Sequence, residues 1–333
     1  MKICVIGAGA IGGLLAAKLA HAGEQVVVVA RGAQLNAIRE HGLVLREQGG
    51  DIVARVTATD RIADIGEPDL IVLGMKAHQV GAVAPEVGAA VGPRTLVLTA
   101  QNGIPWWYFS KHGGTREGVR LQSVDPGGAI ADHLPIDRVI ASVVYPAAEI
   151  ERPGVIRHVE GNRFSLAELD GSRSERIAAI SEVFGRAGFK APVVTDVRTE
   201  IWTKLLGNLS LNPISALTHA TLQDICRYPP TRALVMEMMR EAQAVAEAFD
   251  IRLRISLEKR IAGAEAVGAH KTSMLQDVES GRALEAEALI GSVIELARMA
   301  EVATPHIDAI YAVTKLLGQT LGDARGRLAI APA

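Results

Sequence analysis

The chain has 333 residues, of which 49% are hydrophobic and 22% charged, enough to bury a sizeable core and more than one ordinary domain needs. Lys plus Arg total 35 against 37 for Asp plus Glu, so no chain-wide charge favours nucleic acid or an anionic membrane as partner. Ala, Val, Ile, Leu and 33 glycines dominate beside 4% aromatics, a composition of a layered α/β chain rather than a disordered or fibrous one.

Cys4 and Cys226 lie far apart and in no metal-like spacing, which argues against a disulfide framework, suggests no metal site and fits a reducing compartment. Lys2, the apolar stretch from Ile3 to Ala17 and Ala20-His21-Ala22 imitate a secretory signal. Gly7, Gly9, Gly12 and Gly13 weaken such a helix, and the strand-like Val26–Val29 follows at once, so the signal reading is set aside. No uncharged apolar run reaches the ~20 residues of a membrane span. A soluble, cytoplasmic protein is expected.

Ile3–Ile6 is a short β-branched run that stops at glycine, the pattern of a buried parallel strand. Gly7-Ala8-Gly9-Ala10-Ile11-Gly12 opens a helix through Leu19, and Val26–Ala30 is the next strand. In that setting the G-x-G-x-x-G spacing predicts a dinucleotide site: Gly7 for the tight turn, Gly9 for approach of a pyrophosphate, Gly12 for close helix–strand packing. Free N–H groups at the helix start then meet the phosphates. The second strand ends Val29-Ala30-Arg31 without a carboxylate to hold a ribose 2′-hydroxyl. Arg31 suits a 2′-phosphate instead, which favours NADP over NAD, the alternative being a solvated surface arginine.

Leu70–Leu73 and Thr95–Leu98 read as further strands, and Lys76 and Asn102 follow their carboxyl ends, where ligands of open α/β sheets sit. Trp106-Trp107-Tyr108-Phe109 then leads into a polar, glycine-rich stretch over 110–128. Such a cluster serves as an anchor under the loop, a wall of the substrate or nicotinamide pocket, or a subunit contact. Strands are expected at Val139–Tyr145, Gly154–Val159, Phe164–Leu169 and Pro192–Val194, with a helix over about 173–187. A first domain at 1–196 is followed by a helical one at 197–333, with helices near 197–218, 231–249, 253–267, 283–301 and 305–321. Thr304 before Pro305 marks the start of the last of these, and residues 323–333 read as a loose tail.

Within the first of these helices Lys204, Asn208 and Asn212 recur every fourth residue, so one face carries an ammonium and two amides, drifting by roughly 40° per step. Pro213 is expected to kink or end the helix beside Asn212. Ser273-Met274-Leu275-Gln276-Asp277 precedes Glu285. Ser273 with Gln276 also fits a capping box, and Glu285 near a helix start also suits the helix dipole.

Taken together, the ordered motifs Gly7-x-Gly9-x-x-Gly12, Arg31, Lys76-Ala77-x-Gln79, Gln101-Asn102-Gly103, Lys204-x-x-x-Asn208-x-x-x-Asn212 and Ser273–Asp277 with Glu285 resemble the ketopantoate reductase (2-dehydropantoate 2-reductase) family over most of the chain. The resemblance implies a Rossmann-type doubly wound sheet followed by an all-α domain, with the active site in the cleft between them. It implies reduction of a 2-oxo acid by NADPH, in pantothenate and coenzyme A biosynthesis. Lys204 would polarise the ketone and supply or relay the proton, and Glu285 would position and balance that ammonium. Asn102, Asn208, Asn212 and Ser273 would hold cofactor amide, substrate hydroxyl or carboxylate, and Lys76 would lie near the cofactor.

The stretch from Trp106 to about Asp132 departs from the family pattern, in which secondary structure resumes soon after Asn-Gly. It leaves a different 2-oxo acid as an alternative substrate. An NADP-binding sensor without catalysis is the alternative from another class. The apolar helices suit either a homodimer or the chain's own core.

Overall fold

The computed structural model describes residues 1–323, so the expected tail lies, from residue 324 on, outside the described residues. The chain forms two compact units, one of Met1–Arg120 with Asp125–Val197, the other of Leu121–Val124 with the residues from Arg198 onward.

The first unit runs β1 (Lys2–Ile6), α1 (Ala10–His21), β2 (Gln25–Val29), α2 (Gly32–His41), β3 (Leu43–Arg46), β4 (Ile52–Ala54), β5 (Thr57–Thr59) and β6 (Leu70–Leu73). There follow α3 (Ala77–Ala90), β7 (Leu96–Thr99), β8 (Val139–Val144), β9 (Ala147–Arg152), β10 (Val155–Glu160), β11 (Phe164–Ala167) and α4 (Glu175–Arg186). Seven strands form one sheet in the order β11-β8-β7-β6-β1-β2-β5, parallel except for β11. The chain builds outward from β1 to β2 and β5, then returns to the other side of β1 with β6, β7 and β8. The strand order thus reverses between β1 and β6, and loops leaving their carboxyl ends frame the crevice where α/β proteins bind ligands. β1, β6 and β7 are almost wholly buried, as runs covered on both faces must be.

A smaller sheet, β4-β3-β10-β9, lies against α1. This explains why α1 is apolar nearly all round: one face meets the large sheet and the other the small one, burying Leu14, Leu15, Ala16, Ala17 and Leu19. The sequence reading missed β3, β4, β5 and β9, which are short or carry a weak pattern, such as the half-exposed Ala147–Arg152. The expected strand at 192–194 joins the sheet only as an isolated bridge between Leu166 and Val193, because Pro192 has no N–H for a ladder.

The second unit is helical: α5 (Val197–Thr218), α6 (Leu222–Arg227), α7 (Pro229–Glu247), α8 (Leu257–Ala266), α9 (Ser273–Glu279), α10 (Ser292–Met299) and α11 (Pro305–Asp323). α6, α7 and α8 pack on one another, and α10 and α11 pack on α7. α5 runs through Pro213 instead of ending there. Residues 209–216 are all buried, so packing offsets the one hydrogen bond that proline forfeits. The helix expected at 283–301 opens as a π-helical turn, Glu287–Gly291, before α10. The first turn of α11 is capped by Glu241 of α7, whose carboxylate accepts from the N–H groups of His306 and Ile307 at 3.0 and 2.9 Å.

Candidate active site

At the end of β1 the chain turns at Gly7, whose φ of +97° favours glycine. A Cβ on Gly7 would stand 2.9 Å from the N atom of Met75, and one on Gly12 only 1.9 Å from the carbonyl oxygen of Gly7. Gly74, unremarked in the sequence, completes the set: its Cβ would lie 2.8 Å from Gly12 Cα. Gly9, which directly precedes α1, differs. Its backbone is extended, and a Cβ there would find only the Gly74 carbonyl oxygen, 3.9 Å away. The protein's own packing therefore explains Gly7 and Gly12 but not Gly9, which leaves room for a group approaching the helix start. Ala8, Ala10 and Ile11 lie in the same turn and first helical residues.

Arg31 stands exposed just past β2, immediately before α2, and the carboxylate that would mark an NAD site is missing from that strand end. Lys76 follows β6, directly ahead of α3, where the Gln79 side chain folds back to accept from the Lys76 N–H at 3.1 Å. Asn102 follows β7, and its neighbour Gln101 donates to the carbonyls of Leu73 at 2.6 Å and Met75 at 3.2 Å. Gln101 thereby ties together the loops carrying Lys76 and Asn102. The first unit thus gathers the glycine turn, Lys76 and Asn102 at the β1–β6 reversal, with Arg31 one strand away.

The aromatic cluster is interior. Trp106, Trp107, Tyr108 and Phe109 are all buried, Trp107 donates to Thr99 Oγ1 at 3.1 Å, and Tyr108 and Phe109 meet edge to face at 4.9 Å. Of the three readings of this segment, the anchor is the one the structure shows. The stretch beyond it is folded as well: the fully buried Asp125 accepts from the N–H groups of Ile130 and Ala131 at 2.7 and 3.0 Å.

In the second unit α5 presents Lys204, Asn208 and Asn212 along one face. Asn212 is buried and donates a long hydrogen bond of 3.5 Å to Ser273 Oγ. Ser273 does not cap α9, as its spacing to Gln276 suggests. Thr272 does, accepting from the Leu275 N–H at 3.2 Å, which leaves the Ser273 hydroxyl to Asn212. Glu285 lies just before the π-helical turn, near enough for its charge to act on Lys204. The Lys204 pKa is lowered to about 8: burial is the largest cause, the Glu285 carboxylate opposes it, and the Arg260 guanidinium adds to it. Sequence reasoning overlooked Arg260, on α8. The available signal was Gly207, a glycine inside a helix between Lys204 and Asn208.

The chain matches the family model for ketopantoate reductase PanE/ApbA over residues 3–110 and that for its C-terminal domain over residues 196–318. It is 51% identical to a 2-dehydropantoate 2-reductase of Mesorhizobium japonicum, across 97% of this chain and 99% of the relative. A solved structure of a proposed ketopantoate reductase from Ralstonia solanacearum superimposes with a TM-score of 0.91 at 41% identity, covering 96% of this chain and 98% of that one. The fold also matches that of a D-mandelate dehydrogenase solved with NADH and anilino(oxo)acetate, with a TM-score of 0.82 at 21% identity over 97% of this chain and all of that one. The chain belongs to the ketopantoate reductase family, oxidoreductases that act on CH–OH groups.

Proposed function

We propose that the protein reduces 2-dehydropantoate to pantoate with NADPH, using Lys204 as proton donor. The reading rests above all on Lys204, a half-buried ammonium whose pKa is pushed to about 8 beside Glu285, on a helix face it shares with two amides. The glycine turn at 7–12 would hold the diphosphate of the dinucleotide and Arg31 its 2′-phosphate, and the open space at Gly9 fits that use. When bound, the reduced nicotinamide supplies a hydride to the carbonyl carbon.

The protein's part is to stabilise and protonate the oxygen. As the carbon gains the hydride, the C=O π pair moves onto oxygen and an alkoxide develops. A cation and amide donors held ready at that point lower the barrier. Lys204 Nζ donates its proton to that oxygen, leaving a neutral amine and a secondary alcohol. A pKa near 8 suits this transfer, since the group is protonated at neutral pH yet acidic enough to give the proton up. Glu285 favours the ammonium form before each turnover. Asn208, Asn212 and Ser273 would orient the substrate's hydroxyl or carboxylate. The buried thiols Cys4 and Cys226, both with raised pKa through burial, fit a reducing compartment, and we assign the enzyme to the cytoplasm. Among the described residues no helix is long and apolar enough to cross a membrane.

The test is oxidation of NADPH by the purified protein with 2-dehydropantoate, beside a panel of other 2-oxo acids and with NADH in parallel. Efficient turnover of 2-dehydropantoate with NADPH supports the reading. Preference for another acid moves the substrate, preference for NADH removes the role given to Arg31, and binding without turnover makes the protein a sensor.

A further inference from the structure

Gly207 lies one turn beyond Lys204 on α5, and no residue with a side chain would fit there as the structure stands. A Cβ at Gly207 would come within 2.6 Å of Arg260 Nη2, 3.2 Å of its Cζ and 3.3 Å of its Nε. The guanidinium therefore occupies the space that a side chain at 207 would take. From there Nη2 donates to the carbonyl oxygen of Lys204 at 3.4 Å. That carbonyl belongs to the helical ladder, and its second lone pair is the one available to the arginine.

We propose that Arg260 is a positioning residue for the reaction: seated in the notch left by Gly207, it fixes the turn that presents Lys204 and sets the charge beside that ammonium. The inference rests on the reading of Lys204 as proton donor and adds a residue that no part of that reading uses. Arg260 and Glu285 act in opposite senses on Lys204, the first favouring the neutral amine and the second the ammonium. Glu200 lies one turn earlier on α5. Asp277 on α9 is paired with Arg282 at 3.1 Å, and Glu258 and Lys259 on α8 are exposed. Burial acts most strongly on Lys204, and Glu285 and Arg260 are the two charges that then adjust its protonation in opposite directions. The helix needs a glycine at 207 to admit the arginine, and the arginine needs that notch to come so near.

The experiment measures the alkaline limb of kcat/KM for 2-dehydropantoate reduction in the wild type and in Arg260→Gln, Arg260→Lys, Gly207→Ala and Glu285→Gln, each checked for folding by thermal melt. In parallel the Lys204 Cε resonance is titrated in 13C-lysine-labelled protein without cofactor or substrate. Arg260→Gln should move limb and titration upward by on the order of half a pH unit, the size of one partly screened charge. Gly207→Ala, which displaces the guanidinium without removing it, should move both in the same direction by less. Arg260→Lys should stay near the wild type, and Glu285→Gln should move both downward.

Coincidence of Arg260→Gln with the wild type overturns the proposal, as does an equal shift in Arg260→Lys, which would make the role one of shape alone. Should Arg260→Gln fail to fold, Gly207→Ala and Arg260→Lys decide the matter. Failure of the underlying reading looks different: no variant turns over 2-dehydropantoate, or Lys204→Ala turns over like the wild type, while the titration still reports on Arg260.

Discussion

Alanine at Gly9 and alanine at Gly12 should fail in opposite ways. At Gly12 a Cβ would sit 1.9 Å from the Gly7 carbonyl oxygen and 3.3 Å from Val5 Cγ1, against an ordinary C···O contact of roughly 3.3 Å. The obstructing atom is backbone in a turn fixed by the Gly7 N–H donating to the Val29 carbonyl at 2.9 Å. α1 must therefore retreat by more than an ångström between the two sheets that clamp it. Overpacking of this kind costs up to about 3 kcal/mol, and alanine's better helix propensity returns about 1. The net loss of about 2 kcal/mol lowers the melting temperature of a unit this size by roughly 4–8 °C. At Gly9 the φ of −71° suits alanine and the nearest atom is 3.9 Å away, so stability should change by no more than ~0.5 kcal/mol. If the diphosphate binds there as proposed, the added methyl would occupy its space and weaken NADPH binding at least ~10-fold, or ~1.4 kcal/mol. Thermal melts and titration of NADPH fluorescence separate the two effects. Wild-type affinity in a stable Gly9→Ala protein would refute the placement of the diphosphate, and an unshifted melt in Gly12→Ala would refute the packing argument.

Lys204→Ala should reduce turnover by ~10²–10⁴, the usual worth of a general acid, while NADPH binding is retained in the same titration. In the wild type, kcat/KM should fall as pH rises past about 8, where Lys204 loses its proton. Arg31→Asp should lower the affinity for NADPH relative to NADH by at least ~10-fold, since it removes charge-assisted bonds worth about 1.5–3 kcal/mol each; equal losses for both dinucleotides would contradict a 2′-phosphate contact. Arg176→Ala should cost the first unit about 3 kcal/mol at neutral pH by stranding the buried Glu168 carboxylate, which accepts from Arg176 Nε at 2.7 Å and from Ser174 Oγ at 2.5 Å. Burial alone would raise the Glu168 pKa, but hydrogen bonds from Arg176 and Ser174 and the guanidinium charge overcome it and hold the carboxyl below its ordinary range. Because the folded pKa is depressed, the pair stabilises above the unfolded value and that contribution is lost as pH falls through the folded one. The stability gap between variant and wild type, read by urea titration, should therefore narrow in acid.

The parts of the fold that the sequence announces are those whose pattern arises locally. β1, β6 and β7 are continuous apolar runs ended by glycine or polar residues, and α5 and α11 carry long helical periods, so each lies close to its expected span. β3, β4 and β5 number only three or four residues; β3 pairs with the distant β10 and β5 with β2, while β4 pairs only with β3, which precedes it, so runs this short carry little local pattern. Chain-order spacing likewise finds Lys204, Asn208 and Asn212, because one helix carries all three. It does not find Arg260, whose relevance depends on its side chain reaching from α8 to α5, nor that Thr272 rather than Ser273 caps α9. The aromatic run from Trp106 to Phe109 is conspicuous as a sequence, yet its alternatives part only on burial, a property of the folded chain.

A glycine with room beside it and a glycine without carry different information, and the two units use both kinds. Gly12 and Gly74 are filled by the protein's own backbone, so their identity follows from the turn closing on itself. Gly207 is filled by a side chain, so its identity follows from Arg260 needing to reach the helix backbone near Lys204. Gly9 is filled by nothing in the chain. Of the motif glycines 7, 9 and 12, it is the one whose lack of a side chain the packing of the folded protein does not itself require, which is why the proposed diphosphate is assigned there. Substitution at Gly9 should therefore be felt only when dinucleotide is present, at Gly12 always, and at Gly207 in the protonation of Lys204.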